Sequence, residues 1–186
     1  MTDEPRFTLR RTERLDLDTI IEWLDDPAFL AFLHGDPTRA PKQLRQHLAA
    51  MLAYAAAPMM SGGGFYIIDS DRHGPVGLAS LQSIGWRNQN CEFDLCLTEP
   101  ARAQGLDTAC LHGVIGYCFD DLNLHRVSRP VPAPDSEAVL RMEGTGAKRE
   151  AVLRRHGLRD GTRVDMYLYG LLRSEYRRPA AADRGD

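Results

Sequence analysis

Apolar positions along the chain switch between a period of two and the spacing of a helix, and the switches predict the elements. Arg6–Thr12 alternates apolar and polar residues and reads as a first strand. Leu17–Leu33 carries apolar residues at helical spacing, interrupted at Pro27, and Asp18 is the expected N-cap of its first part. After His34-Gly-Asp-Pro-Thr, Pro41 opens a second predicted helix, Lys42–Ala56, with Leu44, Leu48, Met51 and Leu52 on one face. Ser61-Gly-Gly-Gly64 ends that section. Phe65–Asp69, Pro75–Ile84 and Cys91–Leu97 then read as strands. In the last, Phe93, Leu95 and Leu97 fall on one side and Glu92, Asp94 and Cys96 on the other.

Glu99–Asp107 reads as a loop. Beyond it Leu111, Val114, Ile115, Cys118, Phe119 and Leu122 mark one face of a helix. Gly113 and Gly116 each cost that helix ~1 kcal/mol against alanine, which points to close approach by a neighbour. His125–Val131 is another strand and Ser136–Glu143 a short helix. Lys148–Leu158 and Val164–Leu172 form a hairpin around Asp160-Gly161. The order β-α-α-β-β-β-α-β-α-β-β predicts an α+β sandwich: one mixed, mostly antiparallel sheet of about seven strands with helices on both faces. A single domain over residues 1–176 and a flexible tail over 177–186 are expected.

Composition narrows the function classes. The 186 residues are 43% hydrophobic and 26% charged, as in a globular domain. A net charge of −3 argues against a nucleic-acid-binding surface. No apolar run approaches the ~20 residues of a membrane span, and the N-terminus lacks the order of a secretory leader. Cys91, Cys96, Cys110 and Cys118 lie in apolar segments without a C-x-x-C pair, so no metal site is expected, and a cytoplasmic protein with reduced thiols is.

The stretch Leu97-Thr-Glu-Pro-Ala-Arg102-Ala-Gln-Gly105-Leu-Asp-Thr-Ala109 runs from a strand into a helix N-terminus. Such a passage gathers free N–H groups at the positive end of a helix dipole, and Arg102 adds charge. A simple turn explains the same residues. Three further stretches carry a resemblance: WRNQNCEFDLCL (Trp86–Leu97), FDDLNLHRV (Phe119–Val127) and EAVLRRHGLRDGTRVDMYLYGLL (Glu150–Leu172). In order and wording the chain, from about Phe7 to Tyr176, resembles the GNAT superfamily of N-acetyltransferases, most closely its ribosomal-protein-alanine and spermidine acetyltransferase-like branch.

The resemblance implies a GNAT fold and transfer of an acetyl group from acetyl-CoA to a primary amine by direct attack in a ternary complex. The family's R/Q-x-x-G-x-G/A loop falls on Arg102, Ala103, Gln104, Gly105, Leu106 and Asp107, so Arg102–Thr108 is expected to hold the pyrophosphate. The backbone of Leu95, Cys96 and Leu97 is expected to face the thioester, and Asp135 stands where the family's asparagine touches the pantetheine. Glu92 corresponds to the strand glutamate that serves as general base; a solvated strand residue is the plainer reading, and Asp94 competes with it. Asp107 departs from the pattern. Its favourable effect on the helix dipole, ~0.3–1 kcal/mol, is smaller than a repulsion of up to ~4 kcal/mol from a phosphate ~4 Å away. Ala138, Gly144 and Ala147 depart too, and Pro130, Pro132 and Pro134 crowd a strand.

These departures leave open a second reading, a GNAT-fold binding or scaffold protein with weakened CoA binding. The acceptor is expected to be a small-molecule or peptide amine held by Leu17–Ala56. Nucleic acid and membrane are not expected partners, and a homodimer is compatible with the sequence.

Overall fold

Strand alternation and long-range pairing together set the architecture of the computed structural model, which describes residues 5–34, 50, 63–159 and 161–179. Seven strands form one sheet: β1 (Phe7–Arg11), β2 (Gly64–Ser70), β3 (Gly74–Gly85), β4 (Asn90–Leu97), β5 (Arg126–Pro132), β6 (Lys148–Arg159) and β7 (Thr162–Leu172), in the order β1-β2-β3-β4-β5-β7-β6. Every neighbouring pair is antiparallel except β4 with β5. The predicted mixed, mostly antiparallel sheet is the one observed. The expected helix Lys42–Ala56 lies outside the described residues, apart from Ala50.

Helices cover both faces. On one, α1 (Leu17–Trp23) and α2 (Pro27–His34) place Ile20 and Phe29 against Ile67 and Leu78, all fully buried. On the other, α4 (Asp107–Gly116) and α5 (Ser136–Gly144) bring Leu111, Val114, Ile115 and Met142 onto Phe93, Val127 and Val131. Truncating a buried aromatic such as Phe93 removes about 3–5 kcal/mol, so these contacts are what fix the sheet against its helices. At Gly113 an added Cβ would come within 3.1 Å of Phe7 Cβ, which is the close approach expected there; Gly116 has only Asp120 Oδ2, at 3.9 Å. After Gly116 the helix widens into a π turn, Tyr117–Asp121.

Three local expectations change. Asp18 lies inside α1, and the helix is preceded by a 3₁₀ turn, Arg14–Asp16. It is Asp16 whose carboxylate accepts from the Glu13 N–H at 2.7 Å and from Arg10 on β1. The Arg10 guanidinium holds that carboxyl below its ordinary range. The stretch after β4, expected as a loop, contains a helical turn, α3 (Glu99–Ala103), with proline in its first turn where a missing N–H costs nothing. The tail boundary also moves. Arg177 N–H donates to Thr145 O at 2.8 Å, and Arg178 pairs with Asp120 at 2.6 Å, so residues 177–179 belong to the folded body.

Gly146 is where this C-terminal segment passes just beyond the end of α5. Its φ is +95°, and a Cβ there would collide with the Glu175 carbonyl. Gly144, two residues earlier in the helix, has nothing within 4 Å. We expect Gly146→Ala to cost more than ~2 kcal/mol and Gly144→Ala to gain ~0.4–1 kcal/mol. Urea unfolding midpoints moving in opposite directions would show this; equal shifts would not.

Candidate active site

β4 and β5 run side by side for three pairs only, Asn90↔Arg126, Cys91↔Val127 and Glu92↔Ser128. Beyond them β4 stays on β3 as far as Gly77↔Leu97, while β5 stays on β7 as far as Pro132↔Met166. The two strands therefore diverge, leaving a wedge between their edges. Backbone direction shows which groups line it. Arg126 N–H points to Gln89 O on the β4 side, and Ala133 N–H points to Asp165 O on the β7 side. Alternation then aims the nitrogens of Pro130 and Pro132 into the wedge, where no ladder bond is lost. On β4, Thr98 N–H goes to Val76 O on β3, so Phe93, Leu95 and Leu97 turn their backbone groups toward β5.

Glu92, Asp94 and Cys96 share the face of β4 that looks toward α1 and α2, as the alternation predicted; Cys96 packs with Ile20 and Phe29. Glu92 sits at the last paired position before the wedge, and among the described residues no hydrogen bond or ion pair engages its side chain. Asp94 is occupied. Its Oδ1 accepts from Leu95 N–H at 2.9 Å and from Arg129 Nε at 3.0 Å, with Arg129 Nη2 at 2.9 Å. Arg129 reaches across from β5 with its side chain 14% exposed and its guanidinium 6.0 Å from the Phe93 ring.

The turn from β4 to α4 is built from both sides. Arg102 on α3 donates to Leu97 O and to Asp26 Oδ2, the latter at 2.6 Å, so its guanidinium ties the α1–α2 corner to the end of β4. Gly105 takes φ +70° with open space around its missing side chain, and Ala103, Gln104 and Leu106 complete the bend. Asp107, Thr108 and Ala109 form the first turn of α4, where amides have no partner one helical turn back. Asp107 is not left to Arg102. Its Oδ1 lies 3.8 Å from Arg141 Nη2 on α5, which also pairs with Glu137 at 3.3 Å. Asp135 caps α5 through Ala138 N–H at 3.0 Å. On the β3 side of the same turn, away from the wedge, Trp23, His73, Pro75 and Gln104 line a cavity of about 410 Å³.

Two residues of this site were absent from the sequence reading. Arg129 had a signal, since it interrupts the inward alternation Val127, Val131 with a charge. Arg141 had none, because its contact with Asp107 spans two helices that only the fold brings together.

The family model for the acetyltransferase (GNAT) domain matches residues 6–142. The chain belongs to that family. Among curated relatives it is similar to an uncharacterized N-acetyltransferase, p20, of Bacillus licheniformis, with 23% identity covering 92% of this chain and 95% of the relative. It is likewise similar to the spermidine N(1)-acetyltransferase of Vibrio cholerae, with 21% identity over the same shares. The crystal structure of a Vibrio cholerae spermidine N-acetyltransferase in complex with CoA and spermine has the same fold. Its TM-score is 0.77 at 20% identity, covering 92% of this chain and 98% of that one.

All four cysteines are free thiols, and none is exposed. Burial pushes the Cys96 and Cys110 thiols up to about 12. A thiol in that state is a poor nucleophile at neutral pH. We expect a disulfide reagent at pH 8 to find no fast-reacting thiol in the native protein and four after unfolding in urea. Rapid native modification of Cys96 would contradict this placement.

Proposed function

We propose that this protein uses acetyl-CoA to acetylate a primary amine and that the wedge between β4 and β5 is where the CoA arm lies. The observation that carries this reading is the divergence after Glu92↔Ser128, which leaves a β4 edge without strand pairing that leads, through α3, to the first turn of a ten-residue helix. An extended, amide-bearing arm can add to such an edge as a strand would. The residues fit the group. Leu95 and Leu97, on either side of Cys96, turn their backbone groups to the edge. Within Arg102–Thr108 the first-turn amides of Asp107 and Thr108 are the donors for a diphosphate, those of Arg102, Gln104, Gly105 and Leu106 being bonded to backbone carbonyls. Arg102 serves by fixing the turn's shape, and Asp135 by starting α5 beside it.

Acetyl-CoA, the co-substrate, brings an acetyl group already activated as a thioester. The chain's own task is to deliver a neutral amine. Glu92, at the head of the wedge on the face covered by α1 and α2, takes the proton from the acceptor's ammonium. Asp94 is a weaker candidate, its carboxylate being held by Arg129 and Leu95. The spermidine and spermine named for the relatives make polyamines the first acceptors to test. Four free thiols agree with a reducing, cytoplasmic setting.

The reading is tested by titrating the protein with acetyl-CoA and following heat stability. At 100 times the dissociation constant a ligand raises stability by ~2.7 kcal/mol, a shift of several degrees. No shift at millimolar acetyl-CoA would end it. Glu92→Gln should slow acetylation by about 10²-fold or more with acetyl-CoA affinity unchanged. The deficit should shrink as pH rises toward the pKa of the acceptor amine, because the acceptor then arrives neutral. Equal rates at all pH values would remove Glu92 from the reaction.

Asp107 and Arg141 are expected to act in opposite senses. Asp107→Asn frees Arg141 beside the first turn of α4 and should tighten acetyl-CoA binding, whereas Arg141→Ala should weaken it. Each change should be roughly fivefold at low salt and smaller at high salt, as screening requires. Changes of the same sign would place the diphosphate elsewhere.

A further inference from the structure

Three donors converge on one oxygen in the wedge: Leu95 N–H, Arg129 Nε and Arg129 Nη2 all lie within 3.0 Å of Asp94 Oδ1. Leu95 N–H belongs to the unpaired edge of β4, so this carboxylate stands where a ligand lying along that edge would place an acceptor. Arg129 stands between Val127 and Val131, both fully buried, and sends its guanidinium out of that layer to the opposite strand. No strand pairing joins β4 and β5 at this level, and the ion pair takes its place.

We propose that Asp94, clamped by Arg129, is an internal occupant of the wedge that holds the Leu95 amide and must turn away before the acyl-CoA arm can settle on β4. The inference rests on the acetyl-CoA reading above. The arm of CoA offers neutral amide carbonyls, and the thioester another neutral acceptor. A carboxylate is the stronger acceptor of an N–H, so the occupant opposes the arm. It does not oppose the nucleotide, which is held at the far end by the turn. Only a ligand joining both parts brings enough binding energy to displace Asp94, so the pair screens out arm-bearing thioesters that lack the nucleotide. The guanidinium is a positioning group: it acts through Asp94.

The test is the double variant Asp94→Ala/Arg129→Met, which removes both partners, leaves net charge unchanged and keeps an unbranched stem beside Phe93. Acetyl-CoA, titrated calorimetrically, should bind about tenfold tighter than to the wild type, the scale of one hydrogen bond to a charged group. Adenosine 3′,5′-bisphosphate, which keeps the nucleoside, its 3′-phosphate and one 5′-phosphate of CoA but has no arm, should bind equally to both. An unchanged or weaker acetyl-CoA affinity, or an equal gain for the bisphosphate, overturns the proposal. Should the variant fail to fold, the wild type decides by NMR. The Arg129 Nε–H signal should move on saturation with acetyl-CoA and stay in place with the bisphosphate; a signal fixed under acetyl-CoA overturns the proposal. If the wild type binds no acetyl-CoA at all, the functional reading itself fails and this inference with it.

Discussion

The divergence of β5 from β4 is the constraint on which the site depends, and it is enforced by covalent structure. The nitrogens of Pro130 and Pro132 face the wedge, so a ladder closing β5 onto β4 beyond Ser128 would lack a donor at both positions. Meanwhile β5 keeps its full register with β7, from Arg126↔Leu172 to Pro132↔Met166. Closing the wedge would gain few bonds on one side and break many on the other. The opening is thus a property of the free protein and needs no ligand to create it.

Opening a sheet leaves two walls that must be held apart and aligned, and ion pairs between distant segments do this. Arg102 with Asp26 fixes the far end of β4 to the α1–α2 corner, 76 residues away in sequence. Arg129 with Asp94 spans the wedge itself, and Arg141 with Asp107 joins α5 to the start of α4. None of these is a large source of stability, since each partly exposed pair is worth ~1 kcal/mol or less. Their value is geometric. Each pins an element that carries backbone amides of the site, and the apolar layers behind them supply the stability that lets the edges stay unsatisfied.

Much of this was legible in local pattern. The alternation in CEFDLCL assigns Phe93 and Leu97 to one face and Glu92, Asp94 and Cys96 to the other, and the fold keeps that assignment. The hairpin and the amphipathic helix from Leu111 were equally plain, because both depend on residues close in sequence. The capping role of Asp16 was not: its carboxylate is fixed by Arg10 of β1, a contact created by strand pairing. The helical turn at Glu99–Ala103 escaped because it is five residues long, below the length at which periodicity can be read. Docking of Arg177 and Arg178 escaped for a related reason: a polar, arginine-rich stretch looks solvated until its acceptors, Thr145 O and Asp120, are placed.

The substitutions that seemed to weaken the family pattern acquire a different meaning once neighbours are known. Asp107 brings a negative charge to the turn proposed to hold the diphosphate, and α5 answers it with Arg141 from a position that sequence spacing alone could not connect. Pro130 and Pro132 look hostile to a central strand, yet β5 is central only toward β7; toward β4 it is an edge for most of its length. Asp135, in place of an amide side chain, is a sound helix cap. In each case the residue is costly in the context of a generic strand or loop and inexpensive in the one this chain builds. A departure from a family motif therefore argues against function only after its local compensation has been sought, and here the compensation is found one element away.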